Sequence, residues 1–285
     1  MTTPLPSVVG VVGGGRMGSG IAHAFLLAGS AVRIVETDSE AGARARTSVE
    51  SAVRSTADRG LLTGSVEATM KRLQIVGTVG DLADAGLVIE AVPESIDLKL
   101  TVLGDIGAAV EPGAVIATNT SSFSVTELSA VVPSSERFIG LHFFNPVPAS
   151  KLIEVVLALG ADTSVVAAAQ HWVTELGKTA VTVRDSPGFA SSRLGVLLGL
   201  EAIRMLEDGV ASAADIDAAM TLGYGHPMGP LRLTDLVGLD VRLGVAEYLT
   251  DKLGDRFTAP QLLRDMVSRG DVGRKSGRGF FDWTR

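Results

Sequence analysis

The sequence predicts an α/β fold, a doubly wound and mostly parallel sheet followed by a smaller all-helical domain. Three observations carry this. Short apolar runs alternate with helical stretches through the first 184 residues, as strand–helix–strand units do. The first run leads into glycines at 13, 15 and 18 and then into a helical pattern, so strand, tight turn and helix form one unit. Beyond Asp185-Ser186-Pro187-Gly188 the strand pattern stops and only helical segments follow. The expected domains are therefore 1–184 and 185–285.

Taken in order, residues 8–12 read as a strand, 19–28 as a helix closed by Gly29, and 31–35 as a strand ending in Glu36. Residues 38–72 form a helical excursion broken at Gly60 and Gly64, longer than a crossover needs. Strands are expected at 73–76 and 86–92, then a helix over 95–110 with Ser95 as N-cap, then a strand at 114–118. Strands 138–144 and 151–157 flank Asn145-Pro146-Val147-Pro148, an irregular loop because neither proline tolerates regular structure. Helix 163–176 and strand 179–184 close the first domain. Helices follow at 189–208, 212–222 (with Ser212 and Asp215 as a capping box), 231–253 and 260–269. The first of these is apolar around much of its circumference, through Leu194, Leu197, Leu198, Leu200, Ile203 and Leu206. Burial in a large helical core and a subunit interface both account for that.

Composition narrows the function. A chain of 285 residues, 46% hydrophobic and 20% charged, is globular and soluble in type. A net charge of −7 argues against a general nucleic-acid or anionic-membrane binder. The absence of cysteine excludes disulfides, thiolate catalysis and Cys-ligated zinc, and no metal site is expected. The N-terminus shows no signal-peptide pattern and no apolar run reaches membrane length, so the expected location is cytoplasmic.

The glycines match G-x-G-x-x-G. Gly13 turns the chain, Gly15 admits a pyrophosphate to the backbone, and Gly18 lets the helix pack on the strand, with Gly14, Arg16 and Met17 completing the loop. The helix N-terminus offers N–H groups and partial positive charge to phosphate. Glu36, about 20 residues on at the end of the second strand, is placed to hold ribose hydroxyls. This is a Rossmann-type dinucleotide site, and a carboxylate at 36 would repel the 2′-phosphate of NADP, so NAD is the expected cofactor. The excursion is locally positive. Most of its charges read as a solvated helical hairpin, with a docking site for a phosphate-bearing ligand as the alternative.

Of the four histidines, His23 and His171 lie on helices as surface or core residues, and His226 sits in a turn-rich stretch as a structural residue. His142 ends an apolar strand, Glu154 lies on the next strand, and Asn119 and Ser121 end the preceding one. A carboxylate beside one imidazole nitrogen fixes the tautomer and leaves the other to exchange a proton. From spacing alone, His142 is equally well a satisfied core histidine.

The chain resembles the L-3-hydroxyacyl-CoA dehydrogenases, especially the short bacterial 3-hydroxybutyryl-CoA dehydrogenase type, over essentially its whole length. The motifs are the glycine turn through Ala22, Glu90-Ala91-Val92-Pro93-Glu94, Thr118-Asn119-Thr120-Ser121-Ser122 and Gly140-Leu141-His142-Phe143-Phe144-Asn145-Pro146. They continue with Lys151-Leu152-Ile153-Glu154, Ser186-Pro187-Gly188-Phe189, Met228-Gly229-Pro230, Asp235-Leu236-Val237-Gly238-Leu239-Asp240 and Gly273-Arg274-Lys275-Ser276-Gly277-Arg278-Gly279-Phe280. The resemblance implies hydride transfer between NAD and a (3S)-3-hydroxyacyl-CoA, as in fatty-acid β-oxidation. It makes His142 the general base or acid, Glu154 its support, and Ser121 a contact to the reacting oxygen or thioester. It implies NAD contacts at Glu36, Glu94, Lys99, Asn119, Ser121, Asn145 and Lys275, with Asn145 also near substrate. It implies CoA binding on the excursion and a homodimer formed through the helical domain.

Two departures stand out. Ser192 replaces the family asparagine that helps hold substrate. Near Ser51, Asp58 and Arg59 stand where relatives have lysines, so phosphate contacts are expected at Arg54 or Arg59. Rival readings are a 3-hydroxyadipyl-CoA dehydrogenase of phenylacetate breakdown, an L-gulonate-type dehydrogenase, and a non-catalytic crystallin-like NAD-binding protein. The first needs a cation near the acyl tail, and no single Arg or Lys can be assigned to it from sequence.

Overall fold

The computed structural model describes residues 3–284. Compactness divides the chain between Ser186 and Pro187 into two units, where pattern alone put the division at 184/185.

The first unit is built on an eight-stranded sheet in the order β3-β2-β1-β4-β5-β6-β7-β8. The strands are β1 (Val8–Val12), β2 (Ala31–Val35), β3 (Leu73–Val76), β4 (Leu87–Glu90), β5 (Val115–Thr118), β6 (Phe138–Phe143), β7 (Leu152–Leu157) and β8 (Thr179–Arg184). All neighbouring pairs are parallel except β6 and β7. β1, β4, β5 and β6 are buried almost throughout, as central strands covered on both faces must be. Helices α1 (Arg16–Leu27), α2 (Ser39–Asp58), α3 (Val66–Met70), α4 (Ile96–Ala109), α5 (Val125–Ser129) and α6 (Thr163–Glu175) connect them.

Helix α1 begins at Arg16, earlier than the expected 19, because the turn at Gly13–Gly15 is tight enough for the chain to enter the helix at once. Within the expected excursion the helical part is shorter. Asp38 caps α2, which ends at Asp58, and Ser65 caps the single-turn α3. Ser95 occupies the N-cap position of α4 but makes no side-chain cap bond. The short α5 was not expected. Its apolar side is Val125 and Leu128, too few residues to show a period.

The second unit contains α7 (Ser191–Glu207), α8 (Ala213–Ala218), α9 (Pro230–Val237), α10 (Leu239–Leu253) and α11 (Gln261–Ser268). Its core gathers Leu200, Ile203, Leu231, Leu249, Phe257 and Leu263. The single helix expected over 231–253 is two, because Gly238 adopts φ 106° between α9 and α10. The segment expected as one helix over 212–222 continues past α8 as a π-turn over Ala219–Gly223. Ser212 Oγ accepts from the Asp215 N–H, as the capping pattern requires. Asp217 accepts from the Leu231 and Arg232 N–H groups and caps α9. Asp235 accepts from the Phe280 and Phe281 N–H groups and from Trp283 Nε1, which ties down the C-terminal segment. Glycine at 273 and 279 follows from this, since a Cβ there would lie 2.3 Å and 2.1 Å from Asp235 atoms. No helix among the described residues is long and apolar enough to cross a membrane.

Candidate active site

Strand register sets the site. Val12 pairs with Glu90, Glu90 with Thr118, and Thr118 with Gly140, so β1, β4 and β5 end at one level while β6 runs three residues past it. Two residues beyond that level stand Gly14, Val92 and Thr120 on the loops and His142 still within β6. The C-terminal edge of an open α/β sheet is where such folds bind ligands.

The glycine turn fits a dinucleotide phosphate. A Cβ on Gly18 would lie 1.8 Å from the Gly13 carbonyl oxygen, so helix and strand approach as closely as glycine permits. A Cβ on Gly15 would meet nothing within 4 Å, so this position faces open space. Gly15 is also the N-cap of α1 and supplies no side-chain cap, which leaves the first-turn N–H groups for an anion. Arg16 is exposed and Met17 half-buried beside it. The Gly14 N–H donates to Glu36 Oε1 at 2.6 Å, which locks the turn to the end of β2. Glu36, Asp38, Gly42, Arg46 and Ile75 line a crevice of about 510 Å³, ample for an adenosine. Arg33 is engaged with Asp84 and the Asp81 carbonyl, and Arg44 with Asp38 and Glu40, whereas Arg46 lines the crevice together with Glu36.

A buried ionic hub supports the next loops. Glu90 is fully buried. Its Oε1 accepts from Lys99 Nζ and the Val92 N–H, each at 2.8 Å, and its Oε2 accepts from Thr118 Oγ1 at 2.6 Å. Lys99 Nζ also pairs with Glu94 Oε2 at 3.1 Å. Glu94 Oε1 in turn accepts from Thr120 Oγ1, the Ser121 N–H and Ser122 Oγ. Burial alone would raise the Glu94 carboxyl, but Lys99 beside it and these hydrogen bonds hold it below the usual carboxylate range. Sequence reasoning put Glu94 and Lys99 at the cofactor as individual contacts. The geometry makes Lys99, 1% exposed, the support beneath Glu94. Glu90, Thr118 and Thr120 were missed as site residues. The available signal was an acid ending an apolar strand with a lysine nine residues later.

His142 and Glu154 face each other in the antiparallel register of β6 and β7. His142 Nδ1 lies 2.8 Å from Glu154 Oε2, with the ring 6% exposed and Glu154 fully buried. The Phe144 ring lies against the imidazole, centroids 4.3 Å apart. Asn119 Oδ1 accepts from the Phe143 N–H at 2.9 Å, so it joins β5 to β6 beside His142. Ser121 is half-buried on the loop that Glu94 anchors. Asn145 is exposed, and its loop is held to α1 through Val147, which sits where a Gly20 side chain would be. On α2, Ser51 is exposed and Arg54 is held by Glu50 at 2.5 Å. Ser192 and Lys275 belong to the second unit, where Lys275 Nζ pairs with Asp240 Oδ2 at 2.6 Å.

His23 is 2% exposed, with Nε2 3.1 Å from Thr56 Oγ1. Burial, then Arg59 and Lys178, push its pKa down from 6.5 to about 4. The folded unit holds His23 neutral while the unfolded chain protonates it, so stability is complete above pH 6.5 and falls between pH 6.5 and 4. The full loss is on the order of 3 kcal/mol. Urea unfolding followed by Trp172 fluorescence in a Trp283→Phe background should show this slope with His23 present and a flatter one in His23→Leu. An unchanged slope in the variant would assign the acid sensitivity elsewhere.

Comparison with known proteins agrees with this architecture. The profile of the 3-hydroxyacyl-CoA dehydrogenase NAD binding domain matches residues 8–186, and that of the 3-hydroxyacyl-CoA dehydrogenase C-terminal domain matches residues 188–283. The chain is 38% identical to a 3-hydroxybutyryl-CoA dehydrogenase of Mycobacterium tuberculosis over 96% of its length and 98% of the relative's. It is 38% identical to a 3-hydroxyadipyl-CoA dehydrogenase of Escherichia coli, over 96% of this chain and 58% of that one. The crystal structure of (S)-3-hydroxybutyryl-CoA dehydrogenase from Ralstonia eutropha superimposes with a TM-score of 0.94 at 38% identity, covering 98% of this chain and all of that one. Glycine turn, parallel sheet and both matched domains therefore agree: the chain belongs to the 3-hydroxyacyl-CoA dehydrogenase family, NAD-dependent oxidoreductases.

Proposed function

We propose that the chain interconverts short-chain (3S)-3-hydroxyacyl-CoA and 3-oxoacyl-CoA, with His142 as the proton-transfer group. The observation that carries this is the buried His142–Glu154 pair at the sheet edge that also bears the glycine turn. NAD bound along that edge supplies the hydride acceptor. Glu154 engages Nδ1, so the ring's other nitrogen takes the 3-hydroxyl proton in oxidation and returns it in reduction. Burial of the pair holds the imidazole in one orientation. The Ser121 hydroxyl, on a loop anchored by Glu94 and Lys99, steadies the reacting oxygen.

Arg59 is the better candidate than Arg54 for a CoA phosphate. Arg54 is already bridged to Glu50, whereas Arg59 lines a cavity of about 350 Å³ with Thr56 and Lys178. A homodimer through the second unit is the favoured assembly. Leu194 on α7, Leu233, Leu236 and Val237 on α9, and Val241 on α10 are all exposed there, more apolar surface than isolated residues account for.

NADH oxidation at neutral pH with acetoacetyl-CoA tests the reading. Turnover is expected. No turnover with any CoA thioester, together with turnover of L-gulonate by NAD reduction, would overturn it. Ser192→Asn in the same assay should raise kcat/KM about threefold or more, the worth of one regained hydrogen bond. No change would remove Ser192 from the substrate contacts.

A further inference from the structure

The His142–Glu154 pair depends on one connection. The last β5–β6 pair is Thr118 with Gly140, so the end of β6 that carries His142 is held by β7 on one side and by Asn119 Oδ1 on the other. β7 carries Glu154 and is joined to β6 by residues 144–151. In such a strand pair the connection helps set the register, and a slip of one residue would turn Glu154 to the opposite face of the sheet. The connection does little to hold itself. Pro146 and Pro148 have no N–H, and the Ala149 and Ser150 N–H groups both donate to the Pro146 carbonyl. Asn145, Pro146, Pro148 and Ala149 are exposed, and the first residue, Phe144, lies against the imidazole.

Two anchors fix it. Val147, 2% exposed, packs on α1, where a Cβ on Gly20 would lie 2.9 Å from it. Lys178, the residue before β8, donates from Nζ to the Val147 carbonyl at 2.7 Å and to the Ser150 carbonyl. One ammonium thus clamps the connection on both sides of Pro148 and Ala149. No carboxylate pairs with that ammonium among the described residues. Glu175 lines the same cavity of about 350 Å³ but faces His171, at 3.9 Å. Burial pulls the Lys178 pKa below the usual lysine value. A half-buried cation without a counter-ion is costly, and the two carbonyls are what offset that cost.

We propose that Lys178 is a positioning residue of the proton-transfer site: its ammonium clamps the β6–β7 connection and so keeps the His142 imidazole seated between Glu154 and Phe144. This rests on the reading of His142 given above and adds a group that acts through it. The clamp and the pair lie at the two ends of one short path. Ser150 and Val147 belong to the connection, Phe144 begins it, and His142 and Glu154 stand on the strands it joins. Small displacements matter here, because proton transfer requires the ring to meet the reacting oxygen at hydrogen-bond distance.

The test is reduction of acetoacetyl-CoA by NADH with the full-length enzyme. Lys178→Met keeps the stem and removes the donors, and should lower kcat by about tenfold to a hundredfold, the scale of a misplacement of about 1 Å. In a His142→Ala background the same substitution should cost less than about threefold, because the group being positioned is gone. A protein that is only less folded would lose the same factor in both backgrounds. Lys178→Cys gives a second comparison, and serves alone should the methionine variant not fold. The chain has no cysteine of its own, so 2-bromoethylamine rebuilds a lysine-like ammonium at this position only. That treatment should bring kcat back to within about threefold of native. Equal losses in the two backgrounds, a Lys178→Met enzyme within about threefold of native, or no recovery on aminoethylation overturns the proposal and leaves the dehydrogenase reading standing. A loss seen with acetoacetyl-CoA but not with acetoacetyl-pantetheine, which lacks the nucleotide, would assign the ammonium to a CoA phosphate and likewise overturn it. A native enzyme that reduces neither thioester overturns both readings.

Discussion

Replacing His142 by alanine is expected to lower kcat for acetoacetyl-CoA reduction by about 10²–10⁴-fold, the usual worth of a positioned acid–base group. The KM for NADH should change little, because the glycine turn and Glu36 lie on other strands. Glu154→Gln keeps the shape and a hydrogen bond to Nδ1 but removes the negative charge, so its loss should be smaller, about 10- to 100-fold. The two losses should not add, since Glu154 acts through the imidazole. Steady-state kinetics on the two single variants and the double variant decide this. A His142→Ala enzyme within tenfold of native would mean that His142 is a core histidine and that another group moves the proton.

The second large effect concerns stability. Lys99→Met should destabilise the first unit by about 3–5 kcal/mol, because it leaves the Glu90 carboxylate, fully buried, without its cation. The Val92 N–H and Thr118 hydroxyl still bond to it but supply no charge. Lys99→Met with Glu90→Gln removes the pair together and should recover a large part of the loss. Urea unfolding read from Trp172 in a Trp283→Phe background isolates the first unit, since the chain has two tryptophans, one in each unit. Lys99→Met should also raise the KM for NAD, because Glu94 loses its partner and the loop through Ser121 loses its anchor. A loss below about 1 kcal/mol would show the pair to be dispensable.

Much of this was legible from short stretches. Gly13, Gly15 and Gly18 announce themselves because each meets a local demand: a positive φ, an open approach, and a helix pressed on its own strand. Glu36 could be placed because the second strand ends where its apolar run ends. The helix expected over 231–253 failed for the converse reason. A glycine inside a continuous apolar period does not reveal its φ, and at Gly238 the chain turns. Helix α5 failed because one turn holds no period.

Sequence by itself determined the strand–turn–helix of the glycine turn, the acid that ends the second strand, and the change from strands to helices near residue 185. These depend on contacts between near neighbours in the chain, which pattern and residue type express directly. Tertiary structure alone decided which charged groups meet. The β6–β7 register brings Glu154 to His142. The packing of α4 on the sheet places Lys99 between Glu90 and Glu94 and pairs it with both. The packing of α10 on α7 makes Arg242, an ordinary charged residue in the sequence, a buried cation with no paired carboxylate among the described residues. Burial and partnership depend on what arrives from distant parts of the chain, and in low dielectric they outweigh residue type in deciding what a charge does.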